Sequence, residues 1–319
     1  MTLLRTPIAL AALAALAALT GTACGDSSDG SSSSSAPTRN IVQLAQATPD
    51  LSILVEAVTA ADLGGALSGA GPLTVFAPTN AAFAGLLQEL GVTKEELLAN
   101  KALLTAVLQY HVVSGEVRKA DIPLGKAITP LGGGFFKIDA VDGSAVVTDG
   151  RNRTAKVVAA DLEATNGVVH VIDRVILPAD KNVVQTAAAL PDFSILAAAV
   201  GAAGLGDTLS GPGPFTVFAP TNEAFAALLA ELGVTQDELL ADKPLLTKVL
   251  TYHVIPGRVL KADVVPGVQP ATVEGETFAI GAGLVVTDAR ARTAHLTATD
   301  VLASNGVIHV LDRVILPAP

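Results

Sequence analysis

Apolar side chains recur at helical spacing over residues 41–47 and 51–60, and Pro49-Asp50 between them reads as a break and a restart. Residues 73–77 are rich in β-formers, and Pro78-Thr79-Asn80 then supplies N-cap chemistry for a helix running to Leu87. Thr93-Lys94-Glu95-Glu96 is a capping box, in which Thr and Glu each satisfy a backbone donor that the helix leaves orphaned. A further helix opens at Asn100, carries Leu103, Leu104, Val107 and Leu108 on one face, and ends at Tyr110-His111. Beyond it the period changes. Val117 and residues 135–138, 145–148, 157–160 and 168–177 are short β-branched runs separated by Gly, Asp and Asn. A block of helices followed by a block of strands predicts an α+β fold, with a helical layer packed on a β-sandwich or wedge.

The whole pattern occurs twice. Thr74 begins T-V-F-A-P-T-N-A-A-F-A, and Thr216 begins T-V-F-A-P-T-N-E-A-F-A. Tyr110-His111 returns as Tyr252-His253, Asn166-Gly167 as Asn305-Gly306, and the capping box as Thr235-Gln236-Asp237-Glu238. The offset is 142 residues up to Tyr-His and 139 at Asn-Gly. Each copy is therefore a full domain rather than a short solenoid unit. The boundaries read as residues 40–178 and 182–319, with a short linker that keeps the copies close. The three-residue difference is expected around residues 130–136, where copy one has Gly132-Gly133-Gly134.

Composition adds a compartment. Residues 8–19 are unbroken apolar sequence behind Arg5, too short to span a bilayer, which takes about 20 apolar residues. Small residues then precede Cys24, the only cysteine, so residues 1–24 read as an export signal. The end of that segment resembles a bacterial lipobox, which implies acylation of Cys24, although Gly21 stands where that motif prefers Leu. Residues 25–39 open with a Ser/Gly-rich run that includes five consecutive serines and read as a flexible tether. The formal net charge is −10, and both copies are acidic, with 10 basic against 14 acidic residues and 7 against 13. Neither copy offers the basic face that nucleic acid requires. With no Trp, 2 Tyr and 9 Phe, the core must be aliphatic, and stacking recognition of sugars is disfavoured.

Catalytic constellations are sparse. Of the five histidines, His111, His253, His170 and His309 are two pairs of repeat equivalents, and His295 stands alone. His170 and Asp173 lie three apart in a strand and point to opposite faces, as do His309 and Asp312. No H-x-x-x-H, H-E-x-x-H or Cys/His cluster and no G-x-S-x-G elbow occurs, so neither an enzyme nor a metal or other cofactor is expected.

The segment T-V-F-A-P-T-N-x-A-F, the Tyr-His pair and the closing N-G-V-[VI]-H-V-[IL]-D-R-V-I-L-P resemble the signature segments of the fasciclin domain family, in order and in both copies. The resemblance implies an α/β wedge with a β-sandwich core in an exported protein of adhesion or extracellular matrix, acting on a cell-surface or matrix protein or a polysaccharide. It also marks candidate partner-binding residues. Tyr110, His111, Tyr252 and His253 match a region that contacts receptors in animal members, and Asp161-Leu162 and Asp300-Val301 match an Asp-Ile element that contacts integrins. The alternative for each is structural: a buried imidazole bonded to backbone, and an Asp accepting backbone donors near the Asn-Gly turn. Some members of the family carry carotenoids, which leaves a lipophilic carrier as a second functional class.

One repeated feature lies outside that resemblance. Arg151-x-Arg153 and Arg290-x-Arg292 place two arginines on one face of an extended segment, as candidate contacts for an anionic glycan. The alternative is a solvated hairpin whose charges protect an edge strand.

Overall fold

The computed structural model describes residues 36–319, so the expected export signal, Cys24 and most of the expected tether lie outside the described residues. Copy one runs α1 (Ile41–Gln46), α2 (Ser52–Ala60), α3 (Gly64–Ser68), β1 (Leu73–Pro78), α4 (Asn80–Leu90), α5 (Lys94–Ala99), α6 (Lys101–Tyr110), β2 (Val112–Ser114), β3 (Ala127–Ile128), β4 (Phe136–Val141), β5 (Ser144–Thr148), β6 (Thr154–Ala164) and β7 (Gly167–Ile172). Copy two repeats the order without a strand equivalent to β3, as α7 (Val183–Ala188), α8 (Ser194–Ala203), α9 (Gly206–Leu209), β8 (Phe215–Pro220), α10 (Asn222–Leu232), α11 (Gln236–Ala241), α12 (Lys243–Tyr252), β9 (Val254–Pro256), β10 (Ala279–Ile280), β11 (Val285–Thr287), β12 (Thr293–Ala303) and β13 (Gly306–Leu311).

Each copy is built on one bent sheet. The strand order is β2-β1-β7-β6-β5-β4-β3 in copy one and β10-β11-β12-β13-β8-β9 in copy two. The long strand β6 makes the bend, since its first residues pair with β5 and the rest with β7 across two register shifts. Parallel β1 and β7 lie at the centre and are buried on both faces, which is why they read as continuous apolar runs rather than alternating ones. Val75, Ala77, Val169 and Val171 point to the helical layer. Phe76 and Ile172 point the other way, into a second core closed by Phe136, Ile138 and Val147 from the folded-over half.

The repeated segment from Thr74 to Asn80 has a structural task at each polar position. The Thr74 hydroxyl donates to Gly115 O and accepts from the Val117 N–H, pinning the loop after β2. Thr79 caps α4 by accepting from Ala82 N, and Asn80 accepts from Ile53 N while donating to Pro49 O and Ser52 Oγ, which ties α4 to the start of α2. Asn166 does the same for the other end: it accepts from Ile41 N and donates to Leu67 O and Gly69 O. Gly167 is required by close approach, because a Cβ there would lie 1.8 Å from Leu73 O. Asn40 and Asn182 are the equivalent N-caps of α1 and α7.

Several expectations shift. Helix α4 runs three residues past Leu87 and stops where Gly91 turns left-handed at φ 66°. The strand after Tyr110-His111 is β2, and Val117 lies in the loop beyond it. The last strand ends at Ile172, while Val175, Ile176 and Leu177 stay buried without a strand partner. The short helix α3 had no signal in its Gly-rich sequence. The three-residue difference is also elsewhere: Phe136 and Phe278 pack identically against Phe76/Phe218 and Tyr110/Tyr252, so the 142-residue offset persists past residue 136. The shortening falls in the β4–β5 hairpin, which copy two replaces with a single turn at Ala282–Leu284.

Candidate functional site

At the end of α6, the His111 imidazole is 2% exposed and has both nitrogens engaged: Nδ1 donates to Val107 O at 2.7 Å, and Nε2 accepts from Ile176 N at 3.1 Å. His253 repeats this with Val249 O and Ile315 N. Burial pulls both imidazoles down to a pKa of about 4, so they are neutral at pH 7. Tyr110 and Tyr252 lie buried beside them and donate to Phe135 O and Thr277 O, and burial pushes both phenols up. The imidazole thus ties the helix to the tail of its own copy. As placed, these four candidate partner-binding residues present no surface to a partner, and the backbone-bonded alternative describes them.

His170 and His309 have a different backbone task. Their Nδ1 atoms accept from the N–H of Asp161 and Asp300, and their Nε2 atoms donate to Val117 O and Val259 O. Asp161 and Asp300 sit at the bulges of β6 and β12 with φ of 57° and 60°, which leaves those amides out of the strand ladder. The bulge aims each carboxylate at the next loop, where it accepts from Lys119 N or Lys261 N. From there the copies diverge. Asp161 is exposed and Leu162 half-buried, whereas Asp300 is 5% exposed and bonded to the other copy. Asp300 is therefore corrected from partner contact to internal joint, and Val301 lines the cleft beside it.

The arginine pairs lie in a turn rather than an extended segment. Asp149, 1% exposed, accepts from the backbone N–H of Arg151, Arg153 and Leu177 and from the Arg153 guanidinium, which also reaches Glu89 and Val175 O. Asp288 repeats the arrangement with Arg290, Arg292 and Leu316, and Arg292 reaches Glu231 and Val314 O. Desolvation would raise the Asp288 pKa, but the Leu316 and Arg292 amides and the guanidinium hold it below the usual range. Arg153 and Arg292 are consequently internal clamps, not glycan contacts, because their guanidinium donors are spent inside the copy. Arg290 donates through Nε to Pro317 O. Arg290 is otherwise exposed, whereas Arg151 is half-buried and pairs with exposed Asp180 at 3.1 Å.

The copies meet in a joint that sequence reasoning did not find. Lys137 crosses to Asp300 at 2.8 Å and also touches Asp139, and these partners outweigh desolvation and raise its pKa. Asn152 pairs with the main chain of Leu302 in both directions, at 2.6 and 3.0 Å. Phe135 packs with Leu260, Leu302 and Val307, and the Arg258 guanidinium stacks on its ring at 3.8 Å. Most components differ in the other copy, while Asp300 and Val307 keep their type as Asp161 and Val168. Phe135, Lys137 and Asn152 correspond to Thr277, Ala279 and Ala291, while Arg258, Leu260 and Leu302 correspond to Glu116, Arg118 and Glu163. In copy one the latter three form an exposed ion-pair cluster, so the joint works in one order only.

An apolar cavity of about 180 Å³ lies under α1, α2 and α3, lined by Ile41, Val42, Leu54, Val58, Leu67 and Leu108 among others. Its equivalent in copy two encloses about 30 Å³. Among the described residues no group of three or more His, Cys, Asp or Glu side chains is placed to hold a metal ion, and no helix is long and apolar enough to cross a membrane.

The fasciclin domain family matches residues 49–178 and 191–317. Transforming growth factor-beta-induced protein ig-h3 of Sus scrofa is 33% identical over 253 residues, which cover 79% of this chain and 35% of that protein. The chain thus spans about a third of that relative's length. Protein sll1483 of Synechocystis sp. is 45% identical over 164 residues, 50% of this chain and 87% of that protein. Human periostin is 30% identical over 257 residues, 79% of this chain and 29% of that protein. A FAS1 domain pair from the insect cell adhesion molecule Fasciclin I aligns with a TM-score of 0.42 at 18% identity, over 83% of this chain and 97% of that one. Fasciclin domains are found in proteins of cell adhesion and the extracellular matrix. With the family matched across both copies and 45% identity along nearly the whole of a shorter relative, the chain belongs to the fasciclin family and carries two of its domains in tandem.

Proposed function

We propose that the protein is a non-enzymatic surface-interaction module, exported and held to a membrane by an acyl chain on Cys24, whose paired domains bind a surface or matrix partner. The observation that carries the reading is the fate of its reactive groups. The four buried imidazoles each have both nitrogens committed to main chain, and buried Asp149 and Asp288 are saturated by amides and arginine. What remains accessible is the mixed outer surface of a jointed pair, with exposed apolar side chains such as Leu131, Val158 and Val265 beside polar groups that include the His295–Asp312 pair. Cells expressing Cys24→Ser protein should release it and lose attachment to their matrix, while wild type stays with the envelope fraction. Equal attachment by both strains would sink the anchored reading.

The copy-one cavity favours a second, narrower reading as a carrier. A dry cavity of roughly 150 Å³ takes a molecule the size of benzene. At about 180 Å³ the copy-one cavity accepts a small apolar molecule or the end of an alkyl chain, and a carotenoid, several times larger, does not fit inside it. Solvent extraction of protein purified from its native host tests this: a stoichiometric small apolar compound supports a carrier, and a clean extract removes the reading.

A further inference from the structure

We propose that the cleft at the junction of the two copies is a binding site for a carboxylated saccharide, with Arg151 and Lys181 as its anion contacts. The proposal rests on the surface-interaction reading and names the ligand class for it. The cleft encloses about 560 Å³, within the usual range for small-molecule sites, and both copies together with the linker build it.

Its chemistry is directional. Arg153 and Glu89 on one wall are committed to each other, with Arg153 also clamped by Asp149. Arg151 faces the cleft with a single ionic partner, Asp180, in a pair that is 33% and 52% exposed. Exposed pairs of this kind contribute about 0–1 kcal/mol, so a ligand carboxylate can take the place of Asp180 without a large penalty. The Arg151 Nε is buried with no hydrogen-bond partner, so the side chain gives up no internal bond there when it turns to a ligand. Lys181, four residues from the edge of copy one's last buried segment, is exposed and forms no ion pair among the described residues. The guanidinium suits planar, two-oxygen recognition of a carboxylate, and the ammonium supplies a second charge.

The remaining lining suits a sugar. The Thr186 hydroxyl offers a hydrogen bond, and Leu190 and Val301 give an apolar surface for the ring's C–H face. The equivalent arginine of copy two, Arg290, donates through Nε to Pro317 O and does not line this cleft. Because its walls come from both copies and the linker, the cleft exists only when the copies are joined.

The test is titration of the purified protein with an oligouronate, followed by calorimetry at low salt, with the uncharged oligosaccharide of the same length as a comparison. The expected result is saturable binding that weakens as salt rises. Arg151→Ala and Lys181→Ala should each weaken it at least threefold and the double variant at least tenfold, with the melting temperature unchanged, while Arg290→Ala binds as wild type. No binding, equal affinity for the uncharged sugar, or equal loss in Arg290→Ala overturns the site. Retention of wild type and double variant alike on native envelope material would leave the surface-interaction reading standing and remove only this cleft. Loss of retention by wild type as well would remove the reading itself.

Discussion

Replacing Lys137 by Met takes one charge out of the joint between the copies and keeps an apolar stem of similar length. Asp300, with a side chain 2% exposed, would retain the Lys261 N–H but no cation. Stripping one partner from a buried ion pair costs about 3–5 kcal/mol. Lys137 is itself 12% exposed and shares its charge with Asp139, which becomes better solvated once released, so the lower end applies, about 3 kcal/mol. That is a large fraction of the roughly 5–15 kcal/mol that holds a domain folded. Urea unfolding followed by circular dichroism measures it, with Asp300→Asn and the double variant completing a cycle. The expected coupling is about 2 kcal/mol, since the second substitution removes a charge already stranded. Arg118→Met is the comparison, because it breaks exposed pairs with Glu116 and Glu163 and should change stability by no more than about 1 kcal/mol. A Lys137→Met loss no larger than that of Arg118→Met, or a cycle in which the two losses simply add, would refute the joint.

Two further outcomes follow from the internal clamps. Asp149→Ala leaves three amides and a guanidinium without their common acceptor and should destabilise copy one by about 3–5 kcal/mol, as should Asp288→Ala in copy two; loss below about 1 kcal/mol in a melting series would count against the clamp. His111 and His253 titrate near 4 when folded against about 6.5 when unfolded, so the unfolded chain binds their protons first. Stability should be level above pH 6.5 and fall as pH drops toward 4, by roughly 2–3 kcal/mol per imidazole at pH 4.5. The held-down carboxyls of Glu96, Glu231, Glu238 and Asp288 begin to add their losses at the low end of that window, from about pH 5 downward. A urea midpoint that does not move between pH 7.5 and 4.5 would contradict the buried, neutral assignment.

The elements with local signals were legible. Thr79, Thr93 and Asn100 announce helix starts because a cap acts within three residues of itself, and the repeat shows both copies at once. The Arg-x-Arg pairs misled because two residues of spacing imply a strand face, whereas Asp149 and Asp288, four residues ahead of the clamping arginine in both copies, draw the segment into a turn. That acid was visible in the repeated T-D-x-R-x-R-T-A and is the signal that would have found the clamp. The joint was not legible for a different reason. Its code lies in differences between copies, such as Lys137 against Ala279 and Leu260 against Arg118, and such differences carry meaning only once the fold shows which surfaces meet. Asp300 is the sharpest case, since its equivalent Asp161 has the same bulge, the same His partner and a solvent-facing side chain.

Membrane anchoring and surface interaction stand or fall on the chemical state of the mature protein. An intact mass should be measured on protein extracted in detergent from its native host, with any bound compound recovered. The expected result is a chain beginning at Cys24, heavier by two or three acyl groups and free of a bound small molecule. A chain without acyl groups, or one that carries a stoichiometric lipid or pigment, would contradict the anchored module and put the carrier in its place.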